Sequence, residues 1–506
     1  MKKIALVLCI GMAVYACKKE AKTNQETDLS VLSMEEINRT LYDELAETSV
    51  YNWVNASNEL LWSAGMQSDS IFAVGYQPFG FQDIENRMAT VDIKSPQWTE
   101  VASKILAIVL EEEQRLNPDI TVADLLPFGQ PEVLPTFALY LQSPASMERL
   151  RNLPEIRYFE PMGYDLPPLN TNITDRSSNG CGGEPDYGLN PGDYTEIAPG
   201  AKQSWHHATS NVSSAWSTTT GEGVTVVIID TGISDDQDNF NTNFNSGWSS
   251  GRTVEQISTK YSGRWWWRSL DAPHDQCGHG SEMAGLAAAP RSTDGNAVGI
   301  AYNCNLIGIR AVEDVVISSS NERNGVKDAL VISGTRDDVK VISMSLGTPF
   351  YSGTVADGIH YAYGQGKSIF AAAGTSFEWT AGIGVIFPAS MAQTIAVTGI
   401  KDTGSESCDV CHDGGAVDFV MRMERTSDAG RKALTISTYS DQPTYVGGSS
   451  CATASVAGIA ALVYAAHPGA SRDEVYDILK ENASNYPVKD GDHGWGTIDA
   501  FAAVND

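Results

Sequence analysis

Three side chains, widely separated in the chain, have the types that acyl transfer requires: Asp230, His279 and Ser450. A serine hydroxyl is a poor nucleophile at neutral pH and needs a proton acceptor as its bond forms. A histidine can take that proton and later donate it to a leaving amine. A carboxylate can hold the imidazole in one tautomer and stabilise its cation. Each residue also has a plainer role available: Ser450 as a helix cap, His279 as a satisfied polar residue, Asp230 as a turn former. Their weight comes from the stretches around them.

Ser450 lies in G-G-S-S-C-A-T-A-S-V-A-G, Gly447 to Gly458, which opens a run of small and apolar residues reaching Ala466. This predicts a tightly packed helix with a nucleophile in its first turn. The free N-terminal amides and the helix dipole there favour developing negative charge. Asp230 ends V-T-V-V-I-I-D-T-G, Val224 to Gly232. Such a β-branched run suits a parallel strand buried on both faces, with its chemistry at the C-terminal end. His279 sits in D-Q-C-G-H-G-S-E-M-A-G, Asp275 to Gly285, at the head of a small-residue helix.

The order Asp, His, Ser, with D-T-G, G-H-G and G-x-S-x-A around the three residues, resembles the subtilisin-like serine proteases (the subtilases). The resemblance covers roughly the last three-fifths of the chain. Further stretches agree with it: G-I-A-Y-N-C-N-L-I-G-I-R-A-V from Gly299, V-I-S-M-S-L-G from Val341, the Phe387 to Ala389 turn, and G-W-G-T-I-D-A-F-A-A-V from Gly494. It implies an α/β fold, a subtilisin-like parallel sheet flanked by helices, and serine endopeptidase activity through Asp230, His279 and Ser450. Ser449 is the alternative nucleophile, but the spacing to Ala452 and Gly458 favours Ser450. Substrate is expected as an added strand on Ser345, Leu346 and Gly347. Ala372, Ala373 and Gly374 would floor the first specificity pocket. The oxyanion would be held by the Ser450 N–H and by residue 375. There the chain departs from the family, which keeps Asn after an A-A-G run; this chain has Thr375, with Ser376 beside it. A threonine hydroxyl can donate one hydrogen bond, but it is shorter than an amide and rotates. Glu282 stands where a second His is usual, and Ala454-Ser455 replaces a usual Pro-His. Thr375 also motivates another reading, a subtilase-fold binding or scaffold protein with little or no turnover; an esterase is more distant.

The 506 residues leave room for two or three domains. Lys2, Lys3 and the apolar stretch Ile4 to Val14 read as an export signal, residues 1–16, too short to span as a helix. Val14-Tyr15-Ala16-Cys17 resembles a bacterial lipoprotein site, with Cys17 acylated; a plain secretory signal is the alternative. The expected place is therefore the periplasmic or outer face of a bacterial envelope, anchored by lipid. Residues 17–165 form a smaller N-terminal α+β region. A capping box at Ser33 opens one helix and Ser95-Pro96 another, through Leu116. A strand over Leu134 to Leu141, a helix over Ser143 to Leu153 and a strand over Ile156 to Glu160 follow. This unit resembles a subtilase prodomain, although an unrelated α/β domain fits the same pattern. Residues 166–195, rich in Pro, Gly, Asn and Asp, read as a linker, and 196–506 as the catalytic domain.

A net charge of -29 argues against nucleic-acid partners, whose phosphates demand cationic surface. Partners are polypeptide substrates and a membrane, and the chain is expected as a monomer. Trp265-Trp266-Trp267 reads as packing an inserted loop. Beyond the lipid cysteine, six cysteines of the exported chain allow fifteen full pairings. Cys408 to His412, C-D-V-C-H, has the haem c spacing and three zinc-type ligands, and fits a local disulfide equally. No cofactor is required for the chemistry. The resemblance allows structural calcium, for which Asp235 to Asp238 is an acidic candidate loop.

Overall fold

The computed structural model describes residues 29–166, 180–263, 267–375 and 384–506. The signal stretch, Cys17, Trp265, Trp266 and Ser376 lie outside these described residues. Two sheets organise the rest.

The smaller sheet belongs to the N-terminal region. Its elements are α1 (Met34–Thr48), β1 (Ile71–Tyr76), α2 (Pro96–Leu116), β2 (Thr136–Tyr140), α3 (Pro144–Arg151) and β3 (Ile156–Pro161). The Ser33–Glu36 capping box opens α1, and Pro96 opens α2. The expected strand–helix–strand unit is present, but its strands do not pair with each other. Both pair antiparallel with β1, a fully buried strand between them.

The larger sheet is built from β4 (Thr225–Asp230), β5 (Val254–Ser258), α4 (His279–Ala288), β6 (Asn305–Arg310), α5 (Ser320–Thr335), β7 (Val339–Met344), α6 (Gly353–Gly364), β8 (Ser368–Ala372), β9 (Ile395–Lys401), β10 (Phe419–Arg425), β11 (Asp428–Thr435), β12 (Thr444–Val446) and α7 (Ser449–Ala466). Its order is β12-β11-β10-β9-β8-β7-β4-β6-β5. Every pairing from β5 to β10 is parallel, and β11 and β12 add an antiparallel edge.

β4 shows why a continuous apolar strand was needed. Val226 and Ile228 pack in the layer containing α4 and α7, while Val227 and Ile229 pack in the layer containing α5 and α6. Helix α7 is long and apolar enough to cross a membrane, but it is buried in the core.

The N-terminal region docks on α5 and α6. Arg157 donates to Asp357 at 2.9 Å, and the Tyr158 hydroxyl donates to the same carboxylate at 2.8 Å. Glu160 accepts the Gly353 N–H at 2.7 Å, at the start of α6. Arg323 of α5 donates to the carbonyls of Met162 and Tyr164.

The later part of the expected linker is tied into the larger body. Cys181 is bonded to Cys277, and Asp193 pairs with Arg425 and Arg431.

Candidate active site

Asp230 ends β4 and is fully buried. Its Oδ1 accepts from His279 Nδ1 at 2.8 Å and from the Thr231 N–H at 2.8 Å. His279 is the first residue of α4, so its ring is set by how that helix head is held. Two residues not singled out from sequence do this. Asp275 accepts the Cys277, Gly278 and Ser281 N–H groups at 2.8–2.9 Å, and the Thr231 and Ser281 hydroxyls at 2.8 and 2.7 Å. Thr231 Oγ1 accepts the Gly280 N–H at 2.9 Å. Strand end and helix head are thereby stitched together. The glycines after and before His279 allow the close approach. A Cβ on Gly280 would lie 2.2 Å from the Gly232 carbonyl oxygen, and Gly278 has φ +95°. The only cue to Asp275 was a carboxylate four residues before the histidine.

Burial by itself would lower the His279 pKa. The Asp230 charge and hydrogen bond, helped by Glu282 and Asp275, reverse this, and the ring is held above its ordinary value. Glu282, at the place of the usual second histidine, is pushed up to about 8 by burial.

Ser450 lies in the first turn of α7, after Gly448 with φ +99°. The structure separates it from its neighbour. Ser449 is fully buried, and its hydroxyl shares a hydrogen bond with Thr375 Oγ1 at 3.0 Å. Ser450 is partly exposed on the cleft. Its Oγ meets the Ser345 carbonyl at 3.5 Å, and Ser345 Oγ donates to the Ser450 carbonyl at 2.9 Å. No hydrogen bond from Ser450 to His279 occurs among the described residues. Such catalytic bonds commonly tighten only around substrate.

The cleft beside Ser450 is lined by Ser345, Leu346, Gly347, Ala372, Gly374 and Thr375, among others. Ala373 is not among the lining residues. It is buried in a separate apolar cluster, and its backbone is used by Val397 and Ile386. Gly374 and Thr375 are braced from behind, where the His412 N–H donates to the Gly374 carbonyl at 3.0 Å and Thr375 bridges to Cys411. Cys408 and Cys411 are bonded to each other. A disulfide leaves no thiols for haem attachment and no thiolates for zinc, so the local-disulfide reading of C-D-V-C-H is the one the structure gives. Cys304 and Cys451 are free and buried. Burial pushes both thiols up and so disfavours the thiolate.

The sequence model described as "Subtilase family" matches residues 221–496, more than half of the chain and spanning all three of these residues. The chain belongs to the subtilase family. It is 27% identical over 297 residues to the halolysin-like extracellular serine protease Nep of Natrialba magadii, which covers 58% of this chain and 50% of that protein. It is 32% identical over 244 residues to subtilisin DY of Bacillus licheniformis, covering 46% of this chain and 78% of that one. A solved protease of Pseudoalteromonas arctica PAMC 21717 aligns at 25% identity and TM-score 0.46, over 58% of this chain and 93% of that one. This subtilase thus spans about half the length of its Natrialba relative.

Proposed function

We propose that this subtilase is a serine endopeptidase in which Asp230, His279 and Ser450 act together. The observation that carries the reading is the buried 2.8 Å contact between His279 Nδ1 and Asp230. It leaves the other ring nitrogen as the one available to a serine proton. Ser450 would attack the peptide carbonyl as His279 takes its proton. His279 would then return that proton to the leaving amine, and water would repeat the sequence on the acyl-enzyme. The Ser450 N–H at the head of α7 and the Thr375 hydroxyl would hold the oxyanion. A fluorophosphonate probe should label the chain and fail on Ser450→Ala. A wild-type chain inert to the probe, with no cleavage of amide substrates, would reject the reading.

The N-terminal region is read as a prodomain-like unit, because it docks on α5 and α6 beside the cleft. Export and anchoring through an acylated Cys17 complete the proposal. Intact mass and membrane fractionation of Cys17→Ser would test the anchor; a soluble wild type would reject it.

Among the described residues, a structural divalent cation such as calcium fits one place. Carboxylate oxygens of Asp238, Asp294 and Asp441 lie within 4.8 Å of one another. Asn239 is fully buried beside them, donates to Asp294 at 3.0 Å, and leaves its Oδ1 without a partner. Hard oxygen donors suit Ca²⁺, and the ion would offset their mutual repulsion. A melting temperature unchanged between calcium and chelator would remove it.

A further inference from the structure

With its cysteines joined to each other, C-D-V-C-H has no thiolate to offer a metal, yet it sits directly behind the residues expected to hold the oxyanion. His412 is buried and reaches two separate points of the backbone. Its N–H donates to the Gly374 carbonyl at 3.0 Å, and its ring Nδ1 lies 3.0 Å from the Gly384 carbonyl. A carbonyl can only accept, so Nδ1 carries the proton there. One residue thus holds Gly374, the neighbour of Thr375, together with Gly384. The ring packs directly on Gly374, where an added Cβ would come within 2.3 Å of His412 Nδ1 and φ is +130°. Gly384 is held on its other side as well, because its N–H donates to Ser49 Oγ of the N-terminal region at 3.1 Å. Further along, Ile386 lines the cleft and donates its N–H to the Ala373 carbonyl at 3.0 Å.

The cysteines set where His412 stands. The Cys408 N–H donates to the Gly399 carbonyl of β9 at 3.1 Å, and the Cys411 N–H closes the turn on the Cys408 carbonyl at 3.0 Å. Cys411 pairs with Thr375 in an antiparallel β-bridge. Its sulfur packs so closely on β9 that a Cβ on Gly399 would come within 2.8 Å of it. The Gly448 carbonyl, just before the nucleophile helix, lies 3.1 Å from the same point. The two cysteines are only three residues apart, so their bond removes little chain entropy and its effect is local to this turn.

We propose that Cys408, Cys411 and His412 are positioning residues for the oxyanion: His412 ties Gly374 to Gly384, the sulfur bond keeps His412 and the Cys411 bridge in place, and together they aim the Thr375 hydroxyl at the developing charge. A threonine hydroxyl rotates, so its use as a donor depends on where its backbone is held. None of the three is among the residues lining the cleft; each acts through Thr375. This role rests on the endopeptidase reading.

The readout is the second-order rate at which a fluorophosphonate labels Ser450, because the phosphoryl oxygen takes the place of the oxyanion during attack. His412→Leu removes the ring donor at similar volume, and Cys408→Ser made together with Cys411→Ser removes the sulfur bond. Each should slow labelling about tenfold in chains whose melting shows them folded. His412→Asn, whose side-chain amide can stand in for Nδ1–H, should recover most of the rate. In a Thr375→Val chain the same changes should cost no more than about twofold, because the hydroxyl they aim is gone. A purely structural role would slow both backgrounds alike. If His412→Leu does not fold, the cysteine pair carries the comparison in both backgrounds. Parent-like labelling in either variant, a His412→Asn chain as slow as His412→Leu, or equal losses with and without the Thr375 hydroxyl overturns the positioning role. Failure of the endopeptidase reading shows separately, because the parent chain, with Thr375 and the motif intact, would then not label at all.

Discussion

At the scale of single residues, the oxyanion role proposed for Thr375 gives a direct expectation for turnover. The Thr375 hydroxyl is within 3.0 Å of the Ser449 hydroxyl, so it can donate to an oxyanion while accepting from Ser449, or be held by Ser449 instead. Removing a side-chain donor of this kind costs about a hundred- to thousandfold in turnover. A rotating hydroxyl should contribute less than a fixed amide. Thr375→Val should therefore lower kcat about ten- to a hundredfold with little change in KM, and Thr375→Asn should raise it. Equal kcat for wild type and Thr375→Val would show that the side chain is unused.

The charges around His279 give a second residue-scale expectation. The ring must be neutral to accept a proton, and its pKa is held above the ordinary 6.5. The acid limb of kcat/KM should accordingly have its midpoint above 6.5. Glu282 works on stability. Its pKa of about 8 exceeds the 4.5 of an unfolded chain, so the folded state binds the extra proton between those values. Stability falls as pH rises through that window. Glu282→Gln should thus raise the melting temperature at pH 8.5 and leave it nearly unchanged at pH 4.5. The same gain at both pH values would mean that the carboxyl does not titrate there.

At the scale of elements, Asp275 ties the head of the buried helix α4 to the end of β4. Five hydrogen-bond donors at the strand–helix junction converge on that carboxylate. Asp275→Ala would strand buried N–H groups, at about 1–3 kcal/mol for each unsatisfied group before relaxation. It would also free the head of the helix that carries His279. We expect a lower melting temperature together with a kcat loss of at least tenfold at nearly constant KM. Full kcat in the folded variant would show that the helix is aimed by other contacts. The motifs around Asp230, His279 and Ser450 were legible because each is local: a strand end or a helix head with small neighbours. The apolar run of β4 was likewise enough to announce a strand buried on two faces. Other features required the fold. Strand β1, I-F-A-V-G-Y, is a six-residue run between a helix and a loop, and only its two partners show that it is central. Pairing of Cys181 with Cys277 joins segments 96 residues apart, which spacing does not reveal. That Ala373 faces away from the cleft, and that Gly347 already has a partner, both follow from tertiary register rather than residue type.

At the scale of the whole molecule, the N-terminal region and the larger body share apolar core, since Phe350 and Tyr361 of the latter lie in the cluster of the former, and polar contacts add to it. Part of that polar contribution is one carboxylate. Asp357 lies on α6, is nearly inaccessible, and receives both Arg157 and Tyr158 from β3 of the N-terminal region. A buried pair of this kind adds little over an apolar replacement, but breaking it leaves a buried charge uncompensated, at about 3–5 kcal/mol. Arg157→Ala should therefore weaken the interface far more than its exposed surface would suggest. The companion change Asp357→Asn, made together with Arg157→Met, removes both charges while keeping volume, and should recover much of the loss. Calorimetry and limited proteolysis of the N-terminal region distinguish the outcomes. Arg157→Ala should lower the first unfolding transition and speed cleavage, and the double variant should restore both. If the single variant melts and digests like the parent, the ion pair is not what holds the N-terminal region on α6. The apolar seam in which Phe350 meets Tyr51 and Trp53, with the Glu160 and Arg323 hydrogen bonds, would then carry the interface.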